Sequence, residues 1–388
     1  MILHIFNPEN DLALADGGAN YSPTPAACRI AYDLACLPLW FADAGDAVSL
    51  PDELHREYAK EMSRLFVLAK PYEKSFRNNI TTCRPWGWSP QMFRKLQTAG
   101  FGELLPAKQD IDAIRELSNR RTAIRILESL AERGFDTPAM PLYMTTADDV
   151  AEFINSRPRC VVKAPWSGSG KGVMWGIGHV ETPLENFYKG VIRRQGGVVC
   201  ENFLDSRVEF AMEFHSSKNG IAFSGYSLFN THKGSYAGNM LASDSVIEQR
   251  LAEYIPLEEL RRLRSELEKV LQDISVHECY NGYLGVDMMI YDDNGTMHLN
   301  PCMELNLRMN MGMVSRLFYD NHVSAASVGE YKVDFFKRDG EALALHEKNM
   351  QEHPLSVKDG KVVSGYLNLS PIAMESRYSA YAIVKKQH

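Results

Sequence analysis

Positive charge is not in excess in this chain of 388 residues: 42 Lys and Arg against 49 Asp and Glu leave a net charge of −7. That balance argues against a broad nucleic-acid surface and leaves room only for a local basic groove. No apolar run reaches the length of about 18 residues that a membrane span needs. The first residues also lack a basic stretch followed by a long apolar one, so neither membrane spanning nor secretion is expected. None of the seven cysteines forms a C-x-x-C pair, and their number is odd. Cys160, Cys200 and Cys302 fall in apolar, strand-like settings, which points to a reduced, cytoplasmic protein with small buried thiols. Gly17-Gly18 is not part of a G-x-G-x-x-G fingerprint, so a dinucleotide site is not supported. There is no internal repeat, and nothing in the sequence sets an oligomeric state.

What is present is the composition of an ordinary soluble globular protein, 45% hydrophobic and 23% charged, long enough for two to three domains. The stretch Gly282 to Gly312 organises the rest. Leu284 to Tyr291 is apolar and β-prone, interrupted by Asp287, and Asp292-Asp293-Asn294-Gly295 is a hairpin turn signal. With Asn294 and Gly295 as the loop, Asp293 faces Thr296, and stepping back along both strands sets Asp287 opposite Cys302. Side chains alternate with period 2, so Cys302, Glu304 and Asn306 share the face of Asp287. Three hard oxygen donors, Asp287, Glu304 and Asn306, then converge in a way that suits Mg²⁺. The opposing reading makes Asp287 a solvent-facing acid. Pro301 implies an edge or a bulge, and a one-residue bulge would turn Glu304 to the other face.

Upstream, Ile2 to Phe6 reads as a buried strand followed by Asn7-Pro8-Glu9-Asn10-Asp11, whose polar side chains are substrate-side candidates. Leu37 to Phe41 and Leu65 to Ala69 are further strand candidates, with an amphipathic helix over Asp52 to Leu65. Strand-helix alternation predicts a small α/β domain over 1–108. Asp110 to Arg133 is helical, with a cap for a second helix at Ser118-Asn119. Cys160 to Ala164 is a strand ending at Lys163, and Pro165-Trp166-Ser167-Gly168-Ser169-Gly170-Lys171-Gly172 follows it. Its three glycines free backbone N–H groups to approach an anion, but Pro165 and Gly172 stand where a Walker A loop needs Gly and Ser or Thr. Another strand, Val198 to Cys200, runs into Glu201-Asn202-Phe203-Leu204 and then Glu209. Ser235 to Asn239, after His232, is an acceptor-side candidate.

Lys163 with its glycine loop, the E-x-x-L with a following Glu, and the D…E-x-N set together resemble the ATP-grasp superfamily over about residues 110–320. The resemblance implies a mixed α/β and α+β fold: an ATP-grasp fold with an N-terminal Rossmann-like (pre-ATP-grasp) domain. It divides the chain into 1–108, a small lobe 109–200 with the lid, a large lobe 201–330 with the metal site, and a C-terminal extension 331–388 packing on the main body. It implies ATP and Mg²⁺ as cofactors. Lys163 would contact the α/β-phosphates, while Gly168, Ser169, Gly170, Lys171 and Gly172 would close over them. Glu201 and the Phe203-Leu204 backbone would meet adenine, and Glu209 the ribose. Asp287, Glu304 and Asn306 would hold Mg²⁺, and Arg308 would face the transferred phosphate or acyl group.

The family also has an early lysine, for which Arg121 in Asn119-Arg120-Arg121-Thr122 would substitute. Seventeen residues separate Asp287 from Glu304, more than in D-alanine ligase-like members. Either Asn300-Pro301-Cys302-Met303 is an insertion, or Asn300 takes a ligand's place. The activity implied is ATP-dependent ligation of a small-molecule carboxylate to an amine or thiol through an acyl phosphate. A kinase acting on a small-molecule hydroxyl, or a noncatalytic nucleotide-binding module, would use the same clasp.

Overall fold

The structure, a computed structural model, describes residues 1–168, 172–232 and 235–387, with side chains described outside 230–237. Ser169, Gly170 and Lys171 of the expected lid lie outside the described residues, as do most side chains of the acceptor-side candidate.

The first sheet is parallel, in the order β3 (Lys70–Pro71), β2 (Ala47–Val48), β1 (Ile2–Ile5) and β4 (Thr82–Pro85). Two of its expected strands are not there. Leu37–Trp40 is a 3-10 helix with all four side chains buried, because a short apolar run buried on every side carries no period to tell strand from helix. Leu65 to Ala69 is irregular, and pairing begins just after it, at Lys70. The helix Glu53–Met62 starts at its Asp52 cap, and Ser89 caps Pro90–Leu96 by accepting from Met92 N at 3.2 Å. The 110–133 stretch divides into Lys108–Leu117 and Arg121–Glu132, on either side of Ser118-Asn119-Arg120.

The second sheet is antiparallel: β5 (Leu142–Met144), β8 (Val198–Asn202), β6 (Cys160–Lys163) and β7 (Val173–Gly176). Cys160, Val162, Val198 and Cys200 pack against the helices Ala147–Asn155 and Thr182–Gln195. The opposite face therefore carries Val161, Lys163, Trp175 and Glu201.

The third sheet has nine strands, ordered β13 (Thr296–Asn306), β12 (Gly282–Asp293), β9 (Asp205–Ser217), β10 (Gly220–His232), β11 (Ser235–Leu241), β14 (Ser327–Phe335), β17 (Tyr378–Lys386), β16 (Lys361–Asn368) and β15 (Ser356–Lys358). Leu284, Val286, Met288 and Ile290 of β12 enter the largest core together with the helix Leu257–Asp273. Asp287 and its odd-numbered neighbours face the other way. The C-terminal residues continue this sheet, and the helices beside the first sheet pack on them: Trp40 Nε1 donates to Leu369 O at 2.9 Å, and Tyr58 OH to Asn368 O at 2.7 Å.

Candidate active site

The β12–β13 hairpin turns at Asn294 and Gly295 with φ of 53° and 90°, the left-handed values expected there. From the turn to Met289 opposite Asn300 the register is the expected one. It then shifts, and Asp287 pairs with Glu304 rather than with Cys302. Met288 alone spans the stretch that Pro301, Cys302 and Met303 occupy on β13, so the bulge adds two residues, not one. A shift of two preserves parity, and Glu304 and Asn306 stay on the face of Asp287. Asn300 serves the bulge itself, its Oδ1 accepting from Cys302 N at 3.2 Å.

Asn306 Nδ2 donates to Asp287 Oδ2 at 2.9 Å, and Arg308 Nη2 donates to Asn306 Oδ1 at 3.0 Å. Arg308 also grips Asp11 with both ends of its fork, Nε to Oδ1 and Nη2 to Oδ2, each 2.7 Å. Burial works against the guanidinium's charge, and Asp11 more than offsets it, so Arg308 holds its proton above the usual arginine range. Asp287 is pushed the other way from its ordinary form: burial, then the charge of Glu304 opposite, raise its carboxyl to about 7. Two carboxylates face to face with an amide beside them repel one another, and a hard divalent ion between them would relieve both. The donor set fits Mg²⁺, which binds through few carboxylates and completes its shell with water and phosphate oxygens. Among the described residues no cluster of three or more His, Cys, Asp or Glu forms a fuller cage. Asn306 as placed turns its N–H, not its oxygen, toward Asp287, so its amide would have to turn over to ligate.

Lys163 forms an ion pair with Glu201 across β6 and β8, and Trp175 stands half exposed on the same face. Sequence reasoning passed over Trp175; its alternation with the half-buried Met174 was the available signal. Phe203 and Leu204 follow half buried, the Arg159 guanidinium lying 3.4 Å from the Phe203 ring centre. Glu209 is on the inner face of β9, beside Met289. At the ends of the glycine loop, Gly172 O accepts from Ala164 N at 2.7 Å, and a Cβ on Gly168 would lie 3.0 Å from Asp11 Oδ2.

The early cation is placed differently from expectation. Arg121 turns outward and pairs with Glu116, about half exposed. Arg120 enters the cleft instead: Nη1 donates to Ala164 O at 2.8 Å and to Ser167 Oγ at 2.6 Å, and Nη2 meets Glu304 Oε2 at 2.9 Å. The helix begins at Arg121, and the turn of chain before it sends the two neighbours in different directions. Of the polar residues after β1, Asp11 reaches the cleft. Asn7, Glu9 and Asn10 are buried, Asn7 holding Gly87 O at 2.9 Å. Asp11, Ser118, Trp166, Ser167, Glu304 and Arg308 line a narrow cleft where the three sheets' loops meet.

A biotin carboxylase from Campylobacter jejuni, solved as a β,γ-ATP complex, superimposes with a TM-score of 0.54 at 10% identity, over 100% of this chain and 88% of that one. The fold is ATP-grasp. An N5-carboxyaminoimidazole synthetase from Staphylococcus aureus, complexed with ADP, is also similar, with a TM-score of 0.48 at 14% identity over 99% and 93% of the chains. So is an L-amino acid ligase from Bacillus licheniformis, at 0.45 and 15% over 98% and 93%. No protein-family model matches the chain, and no curated protein does. Among the described residues no helix is long and apolar enough to cross a membrane.

Proposed function

We propose that the protein is an ATP- and Mg²⁺-dependent ligase that activates a small-molecule carboxylate as an acyl phosphate for attack by an amine or thiol. The observation that carries this reading is the guanidinium of Arg308 standing directly behind Asp287, Glu304 and Asn306 on one face of the hairpin. A carboxylate and its tetrahedral adduct need charge compensation at that place. Asp287 and Glu304 would hold Mg²⁺, with Asn306 as the third donor, and the ion supplies charge neutralisation on the transferring phosphoryl group. Lys163 exchanges Glu201 for the α/β-phosphates. Adenine lies against Phe203-Leu204 with Glu201 at its edge, Trp175 adds an aromatic surface, and Glu209 holds the ribose. Arg120 ties the base of the glycine loop, through Ala164 and Ser167, to the strand that carries Glu304. The loop from Gly168 to Gly172, with Ser169, Gly170 and Lys171, closes over the phosphates and excludes water from the acyl phosphate.

The deciding experiment labels the carboxylate oxygens of the substrate with heavy isotope. In the acyl-phosphate route one labelled oxygen leaves in inorganic phosphate. Unlabelled phosphate, or a product that keeps its phosphoryl group as a hydroxyl acceptor would, overturns the ligase.

A binding experiment separates the two lysines. Lys163→Ala is expected to weaken ATP by about 1.5–3 kcal/mol, the range for a hydrogen bond to a charged group. Lys171→Ala costs less, because the ground-state contact belongs to the rigid strand. Equal losses in a calorimetric titration contradict this division.

A further inference from the structure

Glu213 lies one pair of residues beyond Asp287 on the inner face, opposite Gly285 of β12 and Gly225 of β10. It is 1% exposed, and no role in binding or chemistry reaches it. The surroundings are cut to its shape. A Cβ on Gly285 would come within 2.7 Å of one carboxyl oxygen, and a Cβ on Gly312 within 2.5 Å of the other. Into that space Asn310 sends its Nδ2, donating to Glu213 Oε2 at 2.8 Å, while its Oδ1 caps the helix Met311–His322 by accepting from Met313 N at 2.8 Å. The amide is thereby held from both ends. Two residues before it is Arg308, whose Nη1 donates to Met309 O at 3.1 Å, and Met309 N donates to Trp86 O at 2.8 Å.

We propose that Glu213 is a positioning residue for Arg308: through Asn310 it fixes the turn 307–310 on which the guanidinium is presented to the reacting groups. The charged and polar groups around it are Asp287 on β12, Arg308 and Asn310 after β13, Ser227 on β10, and Arg316, whose side chain crosses Gly225. Burial raises the Glu213 carboxyl to about 8, the Asn310 hydrogen bond pulling the other way and Asp287 adding to the rise. A neutral carboxyl offers Asn310 the same carbonyl acceptor that a glutamine does. Asn310 in turn has to be an amide, since a serine there would still cap the helix but could not reach back to Glu213. Within the turn, Arg308 bonds Asn306 O through its backbone N–H at 2.9 Å and Met309 O through its side chain, while Leu307 and Met309 are apolar side chains in the two cores.

This inference rests on Arg308 serving the ligase reaction, so its test carries one readout that needs no turnover. The variants are Glu213→Gln, Glu213→Leu and Asn310→Ser. The readouts are MgATP affinity, kcat, and solvent exchange of the Arg308 Nε–H by nitrogen-15 NMR. Glu213→Gln is expected to keep kcat and exchange within about twofold of wild type. Glu213→Leu and Asn310→Ser are expected to lower kcat by about tenfold to a hundredfold, the cost of a misplaced catalytic group, with MgATP affinity within about twofold. In both, the Arg308 Nε–H exchanges at least about tenfold faster as the local opening equilibrium shifts. Should Glu213→Leu fail to fold, Asn310→Ser carries the test alone, because it keeps the cap. Unchanged exchange in the loss variants overturns the proposal, whatever the turnover; so does a Glu213→Gln variant as impaired as Glu213→Leu. A protein that turns over no carboxylate at all defeats the ligase reading, while the exchange rates still decide this one.

Discussion

Glu304→Gln combined with Asn306→Ala is expected to lower ATP turnover by at least about a thousandfold, the scale of losing preorganised charge stabilisation in a closed site. The two changes remove one carboxylate and one amide from the face on which Asp287 stands. What remains of the donor set is Asp287 alone, too few hard donors to place a divalent ion against a triphosphate. The fold survives, because glutamine keeps the shape of glutamate and relieves the repulsion that helps to raise Asp287. The cost is local: Asp287 and Arg308 each lose a hydrogen bond to Asn306, about 3–6 kcal/mol in all, and Arg120 keeps an amide oxygen as acceptor in place of the Glu304 carboxylate. Turnover assayed as ADP release, alongside circular dichroism, checks both halves. Wild-type turnover would place the ion elsewhere, with Asn300 the next candidate despite its bond to Cys302 N.

The second large effect belongs to Arg308. Arg308→Met removes the cation behind the metal ligands and is expected to cost about 10²–10³ in kcat. It also strands Asp11, whose two oxygens lose both partners, and so lowers stability by about 2–4 kcal/mol, somewhat under the range for a fully buried pair because Asp11 is 17% exposed. Adding Asp11→Asn separates the two losses. The double variant regains much of the stability, since the unpaired charge is gone, and regains none of the turnover. Thermal unfolding and ADP release read the two independently. Recovery of turnover in the double variant would reduce Arg308 to a strut between domains.

How much of this was legible depends on the range of the interaction. The hairpin was readable because Asn294-Gly295 fixes a turn, and the turn fixes the nearby register. The bulge was announced by Pro301, but its size is set by packing of Cys302 into the core, which no local rule reports. The predicted face of Glu304 and Asn306 agrees with the structure because the bulge adds an even number of residues. Arg120 and Arg121 were a choice between neighbours, and the sequence offers only the Ser118-Asn119 break as a hint of where the helix begins. Asp11 and Arg308 lie 297 residues apart, and their pairing is a property of how domains dock. Glu213 had no signal except an acid in an apolar strand flanked, at a distance, by glycines. Leu37–Trp40 was misread as a strand because burial on all sides erases the period.

The last strand of the nine-stranded sheet in chain order, β17, is an interior one, flanked by β14 and β16. It follows that a nascent chain cannot finish this sheet until β17 leaves the ribosome. Trp40 must wait for Leu369, 329 residues later, on the order of 15–65 s at about 5–20 residues per second. Asp33 waits as long for the backbone N–H groups of Arg377 and Tyr378, which it accepts at 2.9 and 3.0 Å. The layer of the first sheet is thus made early and completed late, and its exposed apolar surface must be sheltered meanwhile. Emergence of β17, rather than of the first sheet, is the event that lets these two parts lock together.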